Sequence, residues 1–228
     1  MLLLLATLPL PRPLNAQASN PGPAAVQAGD VVAIGAGTVV ALLPRVLGIG
    51  SETARCTPCQ PGTLPAFDRW AVRQTTTAWA RASDILLVGL VTFGAVTTAT
   101  ADTGGAYATA MLEAGVWTVA ATEWVKAGVG RHRPVMYTDG ATVAARDRNN
   151  LRSFPSGHTS LAFAVATSYW LARRDRTGSP GAEAWAVAGA AAGVGAFRVL
   201  AGQHFLSDVV AGALLGVAGG AAVHAIKF

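Results

Sequence analysis

The sequence has few charged side chains for its length. Of its 228 residues, only 13% are Asp, Glu, Lys or Arg, about half of the ~25% that is usual in soluble domains. It has only two cysteines, too few for a small secreted scaffold held by disulfides. Hydrophobic residues, in contrast, make up 52% of the chain. A disordered chain, a disulfide scaffold and an ordinary cytosolic enzyme are therefore all poor descriptions of this protein.

Long basic runs are also missing. The net charge is +5, but no Lys/Arg-rich segment is interleaved with aromatic residues, and most cations lie between apolar stretches. We therefore expect no nucleic-acid partner. A lipid headgroup or an anionic substrate remains as the partner of the basic residues.

Six apolar stretches of helical length are present instead. They cover residues 31–49, 84–101, 105–125, 158–172, 184–200 and 207–226, and several approach the ~17-residue lower limit for crossing a bilayer. None shows the period-two alternation of a membrane strand, and only helices or closed barrels satisfy their backbone groups in hydrocarbon. The sequence predicts an all-α, polytopic transmembrane helical bundle with five or six spans, in which residues 31–228 form a single membrane-embedded domain.

Glycines recur every fourth residue in the last two stretches. Gly189 and Gly193 form one pair, and the last stretch carries Gly212, Gly216 and Gly220. This spacing lets lipid-embedded helices approach closely, although Ala/Gly-rich sequence also produces such pairs by chance.

The first 30 residues are predicted to form a signal-like or anchor segment followed by a linker. The apolar run from Leu2 to Leu10 precedes Ala16-Gln17-Ala18, which resembles a signal-peptidase site, but no basic residues come before the run. Cleavage after Ala18 and an uncleaved anchor both remain open. Residues 19–30 are rich in Pro, Gly, Ala and Ser, which is typical of a linker.

The segment between the first two stretches contains Cys56 and Cys59. A structural disulfide is favoured if this loop lies outside the cytoplasm, a redox dithiol is a second interpretation, and a zinc half-site is a third that lacks a second cysteine pair. Further on, Phe67, Trp70 and Ala71 follow helical spacing, which predicts an amphipathic helix lying in the membrane interface.

Three polar clusters lie at the ends of apolar stretches, where ionisable residues are candidates for function. The clusters are Lys126 to Pro134, Ser153 to Ser160, and Arg198 to Asp208. In the third cluster, His204 and Asp208 are four residues apart, so we expect them on one face at the start of a helix.

The clusters together predict a phosphate site. Lys126, Arg133 and Arg198 supply positive charge and guanidinium groups that match phosphate oxygens. The backbone N–H groups of Ser156 and Gly157 are expected to face an anion at the start of the helix that follows them.

The histidines supply the chemistry. A carboxylate such as Asp208 fixes the tautomer of a neighbouring imidazole, so that His204 becomes the nucleophile. His158 is then the general acid for the leaving group and the base that activates water. His132 and His224 are interpreted as structural, with His132 a possible neighbour of the pocket.

These segments resemble the three-part motif of the type 2 phosphatidate phosphatase (PAP2) family, which includes integral-membrane lipid phosphatases, soluble bacterial acid phosphatases and vanadium haloperoxidases. The matches are Lys126, Arg133 and Pro134 in the first part, Pro155 to His158 in the second, and Arg198, His204 and Asp208 in the third. The resemblance implies the bacterial membrane branch, the same roles for the two histidines, and no metal or other cofactor.

One position departs from that motif. The family usually has Ser before the arginine of the third part, and here the residue is Phe197. We expect an altered substrate preference rather than loss of activity. Phe197 also leaves open a non-catalytic module that binds or transports a lipid phosphate, and vanadate-dependent halide oxidation is a further alternative.

The expected substrate is a membrane lipid that carries a phosphate or diphosphate: phosphatidate, phosphatidylglycerophosphate or an isoprenyl diphosphate. The bilayer is the expected partner, and the oligomeric state is left open. Arg173, Arg174 and Arg176 indicate a cytoplasmic loop by the positive-inside rule. The active site is therefore expected on the periplasmic or extracytoplasmic side of a bacterial inner (plasma) membrane.

Overall fold

The computed structural model of the protein describes residues 26–50, 53–74, 76–101 and 105–228, which contain helices and no strands. The predicted signal-like segment and most of the predicted linker lie outside the described residues, and the last three linker residues, 28–30, belong to the first helix instead. The six apolar stretches all form long helices, as predicted. They are α1 (Ala28–Val46), α3 (Thr77–Ala101), α4 (Ala106–Val129), α6 (Gly157–Thr177), α7 (Gly181–Leu200) and α8 (Leu206–Lys227), with short helices α2 (Ala66–Arg69) and α5 (Ala141–Ala144) between them.

Four of the long helices among the described residues, α1, α3, α7 and α8, are long and apolar enough to cross a membrane. Their outer faces carry exposed apolar side chains such as Val32, Ile85 and Leu214, each about two-thirds or more exposed. Contiguous apolar surface of this kind is unfavourable in water. The helical membrane class predicted from the sequence is confirmed.

The two remaining long helices, α4 and α6, form the inside of the bundle. α6 packs against α3, α4, α7 and α8, whereas α1 lies on the outside against α4. Because the connections alternate, α4 and α7 end at the same end of the bundle where α6 and α8 begin. This geometry brings the three polar clusters together.

α8 lies against α6 at very short range because of its glycines. A Cβ added to Gly212 would lie 2.6 Å from the Ser156 carbonyl oxygen, one at Gly216 would collide with the Ser160 carbonyl, and one at Gly220 would lie 2.8 Å from Thr167 Cβ. The spacing in α8 therefore serves helix contact. In α7 the two glycines differ: nothing lies within 4 Å of a Cβ added at Gly189, but one at Gly193 would lie 3.2 Å from Leu86 Cδ2 of α3.

The segment between α1 and α3 differs from the predicted amphipathic helix. It is α2 followed directly by a 3₁₀ turn, Trp70–Arg73. Phe67 and Trp70 are exposed, but Ala71 is buried and so is the carboxylate of Asp68. The apolar residues thus do not share one face, because Asp68 is held inside the protein by an arginine described below.

The close contact of α6 and α8 can be tested with matched glycine substitutions. Gly216→Ala should destabilise the protein by about 1–3 kcal/mol, since the new methyl overpacks the interface. Gly189→Ala should be neutral or stabilise by up to about 1 kcal/mol, because alanine is the better helix former. Thermal unfolding of both variants in detergent gives the comparison, and equal effects would contradict the assigned role of Gly216.

Candidate phosphate site

His204 lies in the turn between α7 and α8, two residues before α8 begins, and not within the helix as the sequence had predicted. The turn needs Gly202, which has a φ of 66° and lies against the Gln74 carbonyl. The His204 side chain is only 1% exposed. Burial lowers its pKa to about 3, although Asp208 partly opposes this shift. The imidazole is therefore neutral near pH 7, the state in which it can act as a nucleophile.

Asp208 lies behind His204 and is fully buried. Its Oδ2 lies 3.5 Å from His204 Nδ1, which is longer than a well-formed hydrogen bond of about 2.7–3.2 Å. The same oxygen accepts a hydrogen bond from Ser153 Oγ at 2.5 Å and one from the Phe205 N–H at 2.9 Å. Bonds of this kind often tighten only when substrate binds. The expected pairing of His204 with Asp208 is thus present in a loose form.

Arg131 supplies the positive charge that makes the burial of Asp208 possible. Its NH1 donates to Asp208 Oδ1 at 2.6 Å and its NH2 donates to Asp68 Oδ2 at 2.8 Å. Asp68 also accepts the Ser207 N–H at 3.1 Å. The sequence analysis assigned no role to Arg131 or to Asp68. Arg131 lies in the first cluster but is not a motif residue, and Asp68 lies 63 residues before Arg131 in the chain.

His158 stands at the start of α6, as predicted, and faces Asp84 of α3. His158 Nε2 lies 2.9 Å from Asp84 Oδ1, and Arg198 NH1 donates to the same oxygen at 3.3 Å. One carboxylate therefore holds both side chains. Asp84 is the only acidic residue in α3, and an ionisable residue in an apolar helix is a signal that could have identified it.

A cavity of about 210 Å³ joins residues from several of these elements. The cavity is lined by five of the residues predicted for the phosphate site: Lys126, Arg133, Gly157, His158 and His204. The rest of the lining is Arg45, Val119, Thr122, Glu123, Asn149 and Arg152. The structure thus brings five predicted residues from all three clusters to one small space.

Three predicted residues do not line this cavity. Asp208 lies behind His204, and Arg198 reaches Asp84. The Ser156 N–H was expected to face an anion, but it donates to the carbonyl of Asp208 at 2.9 Å instead and is not available to an anion. Ser156 therefore joins α6 to α8, and only Gly157 remains at the cavity.

Cys56 and Cys59 form a disulfide, the first of the three interpretations. His132 Nδ1 lies 3.2 Å from Cys59 Sγ, so His132 packs on the disulfide rather than at the cavity. These three are the one group of potential metal ligands found in the described ranges, with ligand atoms within 4.8 Å of one another. With the sulfurs joined, the thiolates that a metal needs are not available.

The low pKa of His204 predicts a dependence of stability on pH. An unfolded chain has a histidine pKa of about 6.5, so between pH 6.5 and 3 the unfolded state binds the additional proton, and stability decreases as the pH falls. His204→Asn keeps an amide near the Nδ1 position but does not titrate. In denaturant titrations in detergent, wild type should lose up to about 1.4 kcal/mol per pH unit more than this variant. Equal slopes would contradict a buried, neutral His204.

Comparison with known proteins agrees with this geometry. No curated protein and no solved structure matches the chain. The family model described as PAP2 superfamily matches residues 104–228, more than half of the chain, and includes all three clusters. The chain therefore belongs to the PAP2 superfamily, and this membership indicates phosphatase activity on phosphate esters.

Proposed function

We propose that the protein hydrolyses a lipid phosphate or diphosphate without a metal ion, through a phosphohistidine intermediate. The observation that carries the proposal is the cavity in which the buried, neutral His204 meets Lys126, Arg133 and His158. The cavity wall has four cationic side chains and a single carboxylate, Glu123. This set of groups favours an anion and is unfavourable for a metal cation.

The geometry supports one division of labour. With Nδ1 of His204 turned to Asp208, Nε2 attacks phosphorus and forms the P–N bond while the P–O bond to the leaving group breaks. His158 gives its proton to the departing oxygen, and then takes a proton from the water that hydrolyses the P–N bond. Lys126 and Arg133 stabilise the negative charge on the phosphoryl oxygens. Asp208 and Asp84 act as positioning residues for the two histidines.

A second cavity supports a lipid substrate. It has a volume of about 320 Å³, lies between α1, α3, α4 and α6, and is lined by apolar side chains apart from Thr38. Val119 lines both cavities, so the apolar space adjoins the charged one. The charged cavity is smaller than the ~300–1,000 Å³ of a site for a whole ligand. It fits a headgroup, and the apolar cavity fits part of a hydrocarbon chain.

The loop after α6 supports an extracytoplasmic site, whereas the segments at the site end carry arginines that favour the opposite orientation: Arg55, Arg69, Arg73 and Arg81. Arg173, Arg174 and Arg176 lie at the end of α6 that is remote from His158, and positive residues favour the cytoplasmic side. Arg69 lies at the site end, but it donates to the backbone carbonyls of Gly62 and Leu64. Arg69 therefore stabilises its own loop, and its charge is weak evidence that the site end of the bundle faces the cytoplasm.

The non-catalytic alternative finds no support at the cavity. It rested on Phe197, whose ring stacks on Trp79 at 4.9 Å between centroids. Phe197 is absent from the cavity lining, so the residue that departs from the family motif does not block it.

The proposed nucleophile can be tested against a matched histidine. His204→Asn should lower phosphate release by at least about 10³-fold, because the P–N bond can no longer form. His224→Asn is the control, since His224 also pairs with an aspartate, Asp175 at 2.8 Å, but at the other end of the bundle. Wild type given ³²P-labelled lipid and quenched in alkaline detergent should carry label on His204, because a phosphohistidine is stable in alkali and hydrolyses in acid. Turnover by His204→Asn comparable with wild type would exclude the mechanism.

The substrate class is tested with a panel assayed with and without a chelator. We expect phosphatidate, phosphatidylglycerophosphate or an isoprenyl diphosphate to be hydrolysed faster than a soluble phosphomonoester, because only the lipids occupy the apolar cavity. Activity should be unchanged by the chelator. Loss of activity with the chelator that is restored by a divalent metal would contradict metal-independent hydrolysis.

A further inference from the structure

We propose that the charged cavity contains a second anion subsite, formed by Arg45 and Arg152, which binds a phosphoryl group that is not cleaved. The inference rests on the proposed function and narrows its substrate class. Neither arginine belongs to the three motif segments, and Arg45 comes from α1, outside the region that matches the family model. Arg152 lies within that region, directly before the second motif segment.

The two arginines meet at Glu123. Arg45 Nε donates to Glu123 Oε2 at 3.1 Å, and Arg152 NH2 lies 3.8 Å from the same oxygen and donates to the Glu123 carbonyl at 3.1 Å. Lys126 Nζ donates to Glu123 Oε1 at 3.3 Å. One carboxylate thus orients three cations that all line the cavity. Arg152 also has a buried Nε without a partner among the described residues.

The charge of the cavity exceeds what one phosphate needs. Arg45, Lys126, Arg133 and Arg152 face the single carboxylate of Glu123, which leaves a net charge of +3 from these five side chains, before the proton that His158 gives to the leaving group is counted. A phosphate monoester carries about −1.5 to −2 near neutral pH. The side chains of Lys126 and Arg152 are only 11% and 12% exposed, whereas that of Arg45 is 57% exposed. Unbalanced charge on the buried groups is unfavourable, and a second phosphoryl group would supply the negative charge that balances it.

The order of groups along α4 gives the position of the second anion. Val119, Glu123 and Lys126 are spaced four and three residues apart, so they lie on one face of the helix, about one turn or 5.4 Å from each other. Val119 adjoins the apolar cavity, Glu123 holds the two arginines, and Lys126 belongs to the catalytic cluster. An anion at Arg45 and Arg152 would therefore lie between the hydrocarbon chain and the phosphate that His204 attacks.

The position of the second anion, between the hydrocarbon chain and the phosphate that is cleaved, distinguishes two kinds of lipid substrate. In an isoprenyl diphosphate and in phosphatidylglycerophosphate, a second phosphoryl group lies between the chain and the terminal phosphate. Phosphatidate and an isoprenyl monophosphate have no such group. We therefore assign lipids whose leaving group itself carries a phosphate as the preferred class.

The test compares two substrate pairs with matched chains: farnesyl diphosphate against farnesyl monophosphate, and phosphatidylglycerophosphate against phosphatidate. In at least one pair, wild type should have the higher kcat/KM for the member with two phosphoryl groups. Arg45→Gln and Arg152→Gln should reduce that preference about tenfold or more, since each removes a charge-assisted hydrogen bond. Arg152→Lys, which keeps the charge, should retain part of the preference.

Arg148→Gln is the matched control, because Arg148 is an exposed arginine four residues before Arg152 and does not line the cavity. It should leave the preference unchanged. The subsite is overturned if wild type prefers the single phosphate in both pairs, or if Arg45→Gln and Arg152→Gln leave the ratios unaltered while all four lipids are hydrolysed. No phosphate release from any of the four would instead remove the proposed function.

A binding measurement tests whether the second anion subsite exists without relying on catalytic turnover. Methylenediphosphonate should bind wild type at least about tenfold more tightly than inorganic phosphate does in calorimetry, and Arg152→Gln should abolish this difference. Equal affinities of the two anions for wild type would overturn the subsite whatever the outcome of the activity assays.

Discussion

The buried carboxylate of Asp208 is the group on which the rest of the site depends. A buried charge is tolerated only when it is paired and hydrogen-bonded, and Asp208 meets this condition through Arg131, Ser153 and the Phe205 N–H. These partners come from three separate segments of the chain. Satisfying one carboxylate therefore fixes the relative positions of the loop after α4, the approach to α6 and the start of α8, and His204 is oriented by the same contacts.

The membrane fold sets how close those segments can come. Without a hydrophobic driving force between helices in lipid, close packing and hydrogen bonds must hold the bundle together. The glycine face of α8 lets its backbone lie against α6, and the Ser156 N–H then bonds to the Asp208 carbonyl. The same contact that builds the bundle therefore brings the helix of His158 next to the turn of His204. The α6–α8 interface therefore both stabilises the bundle and positions the two histidines.

The sequence predicts the helices, and it identifies five residues that line the charged cavity, because both signals are local. Apolar stretches define α1, α3, α4, α6, α7 and α8, and the motif residues lie within a few positions of helix ends. It predicts the supporting charges poorly, because Arg45, Asp68 and Asp84 come from elements remote from the motifs. The predicted role of the Ser156 N–H was wrong for a related reason. The first N–H groups of a helix are generally free to bind an anion, but the Ser156 N–H already donates to the Asp208 carbonyl of α8, and this tertiary contact cannot be read from the sequence.

Several charged groups that contact the proposed site residues, Asp68 among them, lie outside the region that matches the family model. Residues 104–228 contain all the motif residues, yet a fragment with those bounds would lack one of the two carboxylates bound by Arg131, the carboxylate that holds His158 and Arg198, and the arginine contributed by α1. Such a fragment would hold the proposed reacting groups without the charged side chains that contact and orient them. The segment from α1 to α3 is thus part of the charged network around the proposed site, although it lies outside the region that matches the family model.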